Sequence, residues 1–135
     1  MGPSQEYNLE ESMRRLAEGE LSELSALDSA GAEEIKAWAD TLAQPLTVGR
    51  TAVSRVLRLM LAGDVSPEAV QSWASMMRWG AMRRPSGLIA VEVDYERSFE
   101  DKIIDVLARL DEIGDLVDGE ISADEGKDML RLMSE

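Results

Sequence analysis

The 135-residue chain contains neither histidine nor cysteine. The missing histidine removes the usual proton shuttle, and the missing cysteine removes the thiol nucleophile. The same two residue types are the preferred protein ligands of zinc and iron. Chemistry based on carboxylates, Lys, Ser or Tyr is still available, as is an oxygen-ligated Mg²⁺ or Ca²⁺. We predict that the protein is not an enzyme and has no cofactor, no metal and no small-molecule substrate.

Long apolar runs are also missing. No stretch reaches the roughly 18 apolar residues of a membrane span. The first residues are polar and acidic, unlike the basic-then-apolar order of a signal peptide. Because 44% of the residues are hydrophobic, a chain of this length can bury one core without disulfides. We expect a single domain over residues 1–135, without membrane contact, in the cytoplasm.

The formal net charge of −13 is unevenly distributed. Residues 1–45 hold 10 acidic and 3 basic residues, a net of −7. Residues 46–87 hold 2 acidic residues and 6 arginines, a net of +4. Residues 88–135 hold 15 acidic and 5 basic residues, a net of −10. A solvated surface explains acidity of this kind, and so does a basic partner, which the last third favours.

Helical spacing of apolar residues recurs along the chain. It is found over residues 9–16, 35–42, 53–60, 70–81 and 99–110, with a short final helix at 129–133. The pattern predicts an all-α fold, an antiparallel bundle of five to six helices. Residues 1–45 form the N-terminal helices and 46–135 the helical core. We expect residues 83–95 to form one longer irregular connection, because a lone strand there has no sheet to join.

Three similar strings predict the helix junctions. Each is Gly, an acid, an aliphatic residue and Ser, and they begin at Gly19, Gly63 and Gly119. Glycine adopts the left-handed conformation that closes a helix, and serine caps the next one. Ser98 is expected to cap the helix that follows it in the same way.

Residues 114–125 partly match a calcium-binding EF-hand loop. Asp118, Gly119, Ile121 and the terminal Glu125 fit the second half of that loop. Its first and third positions are Gly114 and Leu116, which carry no carboxylate. Half of the ligand cage is therefore missing, and helix capping explains the same residues.

Residues 41–58 resemble the helix-turn-helix of bacterial repressors. The run from Thr51 to Leu57 has the form of their recognition helix, which would direct Arg50, Ser54 and Arg55 towards DNA. Pro45 and Thr47 depart from the pattern, and the acidic flanks repel phosphate. An amphipathic helix with an arginine face explains the same residues, so DNA binding is an alternative prediction.

Two further features concern the surface. Asp101 and Asp105 lie opposite Ile103 and Leu107 on one helix, where exposed carboxylates make poor general acids, and Arg109 is an i, i+4 partner of Asp105. Trp79 lies off the apolar face of its helix, close to several arginines. Core packing explains such a tryptophan, and so does an aromatic anchor for a partner.

From Leu57 onward the layout resembles the immunity proteins of the colicin D type. The resemblance runs through residues 57–61 and 65–70, an arginine-bearing second helix ending near Arg83, residues 103–110, an acidic stretch 111–120 and a short last helix. It covers about the last 80 residues, roughly 55–135, by layout more than by identity.

The resemblance implies a bacterial toxin inhibitor. Such proteins bind a nuclease toxin whose active site is basic, and an acidic surface occupies that site in place of the substrate phosphates. The acids that match the family's acidic stretch are Asp111, Glu112, Asp115, Asp118 and Glu120, and we add Asp94 and Glu96 in the connection. The alternatives are the DNA-binding regulator and an acidic adaptor or phage-type inhibitor of a nucleic-acid enzyme.

Overall fold

The computed structural model describes residues 9–24, 33, 40, 45–84, 87–114 and 120–134. These ranges are mostly helical and contain five α-helices: α1 Leu9–Ala17, α2 Arg50–Ala62, α3 Pro67–Trp79, α4 Glu100–Asp111 and α5 Ala123–Ser134. A 3₁₀ turn, Arg97–Phe99, leads into α4. Within the described ranges, no helix combines the length and the apolar character needed to cross a bilayer.

The boundaries of the helices follow from the predicted caps. Gly63 ends α2 in the left-handed conformation, at φ +75°. The Ser66 hydroxyl accepts a hydrogen bond from the Ala69 N–H at 3.1 Å, which starts α3. The Ser122 hydroxyl does the same for Glu125 at 3.1 Å, which starts α5. The cap predicted at Ser98 is wrong, because the 3₁₀ turn continues directly into α4 and no side-chain hydrogen bond caps that helix.

The core forms between two helix pairs. Helix α3 packs mainly on α4, and α2 packs mainly on α5. The apolar stripes predicted for these helices are buried; they include Val53, Val56, Leu57, Val70, Trp73, Met77, Ile103, Leu107, Leu110, Met129 and Met133. Met13 and Leu16 bring α1 into the same core. The stripe predicted over residues 35–42 lies outside the described residues, apart from Asp40.

The expectation of a purely all-α fold is wrong for the segment 83–95 and for the chain before α2. Strands β1 (Leu46–Val48) and β4 (Val93–Tyr95) pair in parallel, with Val48 opposite Tyr95. Strands β2 (Ala81–Arg84) and β3 (Gly87–Ala90) form an antiparallel pair directly after α3. The strand at 93–95 therefore has a partner from far away in the chain, which local periodicity does not reveal. In β1, Leu46 and Val48 are buried and Thr47 is exposed, the alternation of a half-buried strand.

Gly19 sits where the turn after α1 touches α2. Its φ is +94°, and a Cβ added there would lie 2.7 Å from the carbonyl oxygen of Ala52. We expect Gly19→Ala to lower the free energy of unfolding by more than about 2 kcal/mol, because left-handed strain and a backbone clash add together. Urea unfolding followed by far-UV circular dichroism measures the change.

The matched control is Gly63→Ala. Gly63 also has a positive φ, but nothing lies within 4 Å of an added Cβ. Only the left-handed strain of about 1 to 2 kcal/mol applies there. Equal losses for the two variants would show that the approach of α1 to α2 does not require glycine.

Candidate protein-binding site

The outer face of α4 is acidic with an apolar residue in its middle. Glu100, Asp101 and Asp105 are exposed, and Ile104 between them is 36% exposed. Positions three and four residues apart share a helix face, so Asp101, Ile104 and Asp105 form one patch. The opposite face carries the buried Ile103, Val106, Leu107 and Leu110. Amphipathicity alone explains the acids, but it does not explain an isoleucine among them.

Within the part of the chain that the structure describes, no ion pair joins Glu100, Asp101 or Asp105 to a basic side chain. Acids elsewhere do pair, as Asp128 does with Arg131. The three carboxylates of this face thus stay outside the ion pairs that engage acids elsewhere among the described residues.

Trp79, the last residue of α3, is exposed and yet held in place. The residue is 64% exposed. Its Nε1–H donates to Oδ2 of Asp111 at 3.0 Å, and the Arg78 guanidinium lies 4.4 Å from the ring centroid. A cation over an indole face is favourable, and it restrains the ring.

Asp111 organises this corner. Its side chain is only 13% exposed. Besides the indole, it accepts hydrogen bonds from Gln71 Nε2 at 2.9 Å and from Arg78 Nη1 at 3.1 Å. Charge-assisted hydrogen bonds of this kind are stronger than neutral ones. The carboxylate therefore links the end of α3 to the end of α4 and orients Trp79.

Tyr95 also contacts the C-terminal end of α3. Its hydroxyl donates to the carbonyl of Met77 at 2.7 Å, one of the carbonyls that a helix end leaves without a partner. Burial raises the pKa of the Tyr95 hydroxyl, with the nearby Glu100 carboxylate adding to the effect.

Trp79 and the acidic patch belong to one surface. Ile104 and Asp111 are seven residues apart on α4, nearly two full turns, so they share a face about 10 Å apart along the helix axis. We call the set Glu100, Asp101, Ile104, Asp105, Asp111 and Trp79 the α4 surface. It joins exposed carboxylates, a central aliphatic side chain and a restrained tryptophan, which is the composition of a protein-binding surface for a basic partner.

Of the acids predicted in the stretch 111–120, those that the structure describes have different environments. Asp111 belongs to the α4 surface, but mainly as the residue that holds Trp79. Glu112 is exposed and pairs with Arg109 at 2.8 Å, and Glu120 is exposed, with its carbonyl accepting from Arg109 Nη2 at 3.1 Å. Asp115 and Asp118 lie outside the described residues.

The two acids predicted in the connection have different environments. Asp94 is exposed on β4. Glu96 instead accepts a hydrogen bond from the Arg50 N–H at 2.9 Å, so it caps the N-terminus of α2, where Gly49 offers no side chain. Glu100, Asp101, Ile104 and Asp105 were not predicted as binding residues. The available signal was an aliphatic residue, Ile104, on the polar side of an amphipathic helix.

The residues predicted to face DNA do not share an exposed face. Ser54 is buried, at 8% exposure. The Arg50 guanidinium lies 4.5 Å from the Phe99 ring centroid and 3.7 Å from Glu96. Arg55 is exposed on the side of α2 that faces away from the core. The helix is preceded by β1, and the first helix of the motif, 41–44, lies outside the described residues.

Arg109 joins α4 to α5. Its Nη2 donates to Glu125 Oε1 at 3.1 Å, and Nη1 donates to Glu112 at 2.8 Å. These contacts lower the pKa of Glu125, with the Arg109 hydrogen bond as the main cause. The sequence analysis paired Arg109 with Asp105 and used Glu125 in helix capping. The Ser122 hydroxyl does accept from the Glu125 N–H, whereas the Glu125 carboxylate and Arg109 link the two helices.

We compared the chain with protein-family models, with curated proteins and with solved structures, and none of the three comparisons found a match. The resemblance to colicin D-type immunity proteins therefore stays a prediction that rests on the residues alone.

The role of Asp111 can be tested by NMR. In Asp111→Ala, we expect the Nε1–H of Trp79 to shift and to exchange with solvent at least about 10-fold faster, because a hydrogen bond to a charged group contributes about 1.5 to 3 kcal/mol. The Nε1–H of Trp73, which donates to the Leu16 carbonyl in the core, is the internal control. An unchanged Trp79 signal would show that Asp111 does not hold the ring.

The Arg109–Glu125 pair predicts a pH dependence. A carboxylate whose pKa is lowered by folding stabilises the fold above its ordinary value, 4.5, and this contribution is lost as the pH falls through the lower folded-state value. We expect Glu125→Gln to be less stable than the wild type near neutral pH, and the difference to shrink below 4.5. Urea midpoints of both proteins across pH measure it. A difference independent of pH would contradict the assignment.

Proposed function

We propose that this protein is an immunity-type inhibitor, which binds a basic nuclease toxin and neutralises it by covering its active site. The observation that carries the proposal is the α4 surface, where Asp101 and Asp105 flank an exposed isoleucine and meet no cation among the described residues. The absence of histidine and cysteine supports binding in preference to catalysis.

The physical basis is competition with a nucleic acid. A nuclease site must attract phosphates, so it is lined with cations. Carboxylates spaced along a rigid helix compete for the same cations, and opposite charge speeds the encounter of the two proteins. The net charge of −13 strengthens this long-range attraction towards a basic partner.

Charge alone does not provide an anchor, and Trp79 supplies one. Interface energy is concentrated in a few residues, among which tryptophan is enriched. Because Asp111 and Arg78 already restrain the ring, less side-chain entropy is lost when a partner covers it. The DNA-binding alternative has weaker support, since Ser54 is buried and Arg50 is paired with Glu96. The acidic adaptor uses the same α4 surface and differs only in the identity of the partner.

The test uses a panel of basic bacterial nuclease toxin domains, including any nuclease domain encoded beside this gene. We expect stoichiometric protein to stop RNA or DNA cleavage in vitro and to rescue cells that express the toxin. Asp101→Lys with Asp105→Lys should slow association by roughly 10- to 1,000-fold, because electrostatic steering has that range. Stopped-flow association measures the rate.

Asp124→Lys with Asp128→Lys is the matched control. These two acids are exposed, four residues apart and begin in the first turn of α5, as Asp101 and Asp105 do in α4. The control changes the net charge equally, so it should keep most of the association rate. If both pairs of substitutions slow association equally, the α4 surface is not the binding site. If the protein inhibits none of the basic nucleases, the proposed function is wrong.

A further inference from the structure

The outer side of α2 carries a shallow groove with an unusual charge. It is lined by Thr51, Arg55, Arg58, Leu59, Ala62 and Asp64. Arg55 and Arg58 are exposed, and within the described part of the chain neither forms an ion pair. This is notable in a chain with 27 acidic and 14 basic residues, where Arg15, Arg50, Arg78, Arg109 and Arg131 all pair with acids.

The groove selects the chemistry of its occupant. Two arginines three residues apart favour carboxylates about one helical turn apart, and Leu59 with Ala62 favours an aliphatic side chain beside them. Asp64 at the end of the groove favours a cation at the corresponding end of the occupant.

Helix α4 of the same protein, together with the 3₁₀ turn before it, has this pattern. Arg97, Asp101 and Asp105 are exposed in the order +, −, −, with Ile104 beside them. Along the groove, Asp64, Arg58 and Arg55 run −, +, + in the reverse chain direction. From the rises per residue of α and 3₁₀ helices, Arg97 to Asp105 span about 13 Å. Arg55 to Ala62, the end of α2, span about 10 Å, and Asp64 follows two residues later. Antiparallel alignment therefore places each of these three charges opposite its complement.

We propose that two copies of this protein associate, with α4 of one copy lying antiparallel in the α2 groove of the other. The contact pairs Asp101 and Asp105 with Arg58 and Arg55, and Arg97 with Asp64. Ile104 then lies level with Arg55, about one helical turn along the axis from Leu59. The proposal does not depend on the proposed function, but it uses the same acidic face, so self-association and the binding of a basic partner exclude each other.

The net charge of the protein opposes this contact, and the salt concentration determines whether long-range repulsion or short-range attraction is stronger. Two copies of net charge −13 repel each other over long distances. The screening length is about 30 Å at 0.01 M salt and about 8 Å at 0.15 M, whereas the paired charges meet within a few ångströms. Moderate salt therefore removes the repulsion before it weakens the contact. Association is strongest at intermediate salt and falls at both extremes.

Sedimentation velocity over a range of protein and salt concentrations tests the proposal. We expect the mass to rise with concentration, most at intermediate salt. Arg55→Glu with Arg58→Glu, and separately Asp101→Arg with Asp105→Arg, should each weaken self-association at least about 10-fold, since like charges then face each other. An equimolar mixture of the two variants restores opposite charges and should associate again.

Circular dichroism confirms that the variants are folded, and Asp124→Arg with Asp128→Arg controls for net charge. A monomeric mass under all conditions overturns the proposal. So does a mixture that fails to associate, or a control that weakens association equally. Binding of duplex DNA that requires Arg55 and Arg58, with the mass still monomeric, would identify nucleic acid as the occupant instead. None of these results depends on whether the protein inhibits a nuclease.

Discussion

The hydrogen bond from the Trp73 indole to the carbonyl of Leu16, at 2.6 Å, is the contact on which the arrangement of the helices depends. Trp73 is fully buried, and a buried N–H without an acceptor costs about 1 to 3 kcal/mol. The acceptor lies in the last turn of α1, and it also accepts a hydrogen bond from the Gly19 N–H at 3.0 Å. The indole bond therefore satisfies a buried donor, and it sets α1 against α3 in the core.

Helix α3 connects this core contact to the protein surface. Trp73 and Trp79 are six residues apart, which places them about 120° apart around the helix. The first is held by the core, and the second is held by Asp111 and Arg78 outside it. Because α3 packs mainly on α4, positioning α3 also positions Trp79 beside the acids of α4. The candidate binding surface is thus a product of core packing, although its residues are polar.

Part of the fold could be predicted from interactions between residues close in sequence. The apolar stripes of α2, α3 and α4, the left-handed Gly63 and the caps at Ser66 and Ser122 all depend on neighbours within a turn or two. The parallel pairing of β1 with β4 was not predictable, because it joins residues 46–48 to 93–95 and neither strand has a local partner. The cap that Glu96 provides for α2 was not predictable for the same reason, since the donor and the acceptor are 46 residues apart.

At the candidate site, composition identified an acidic last third and an unusual Trp79, and periodicity placed Asp101 and Asp105 on an outer face. Only the tertiary structure distinguished acids of the same type. Asp111 points inward and binds the indole of Trp79, and Glu112 and Glu125 pair with Arg109. Glu96 caps a helix, and Asp101 and Asp105 form no ion pair among the described residues. The sequence by itself determined how much charge the protein carries and on which helices. Which carboxylates stay free for a partner depended on packing, because a carboxylate pairs with whatever cation or N–H the fold brings within about 3 Å of it.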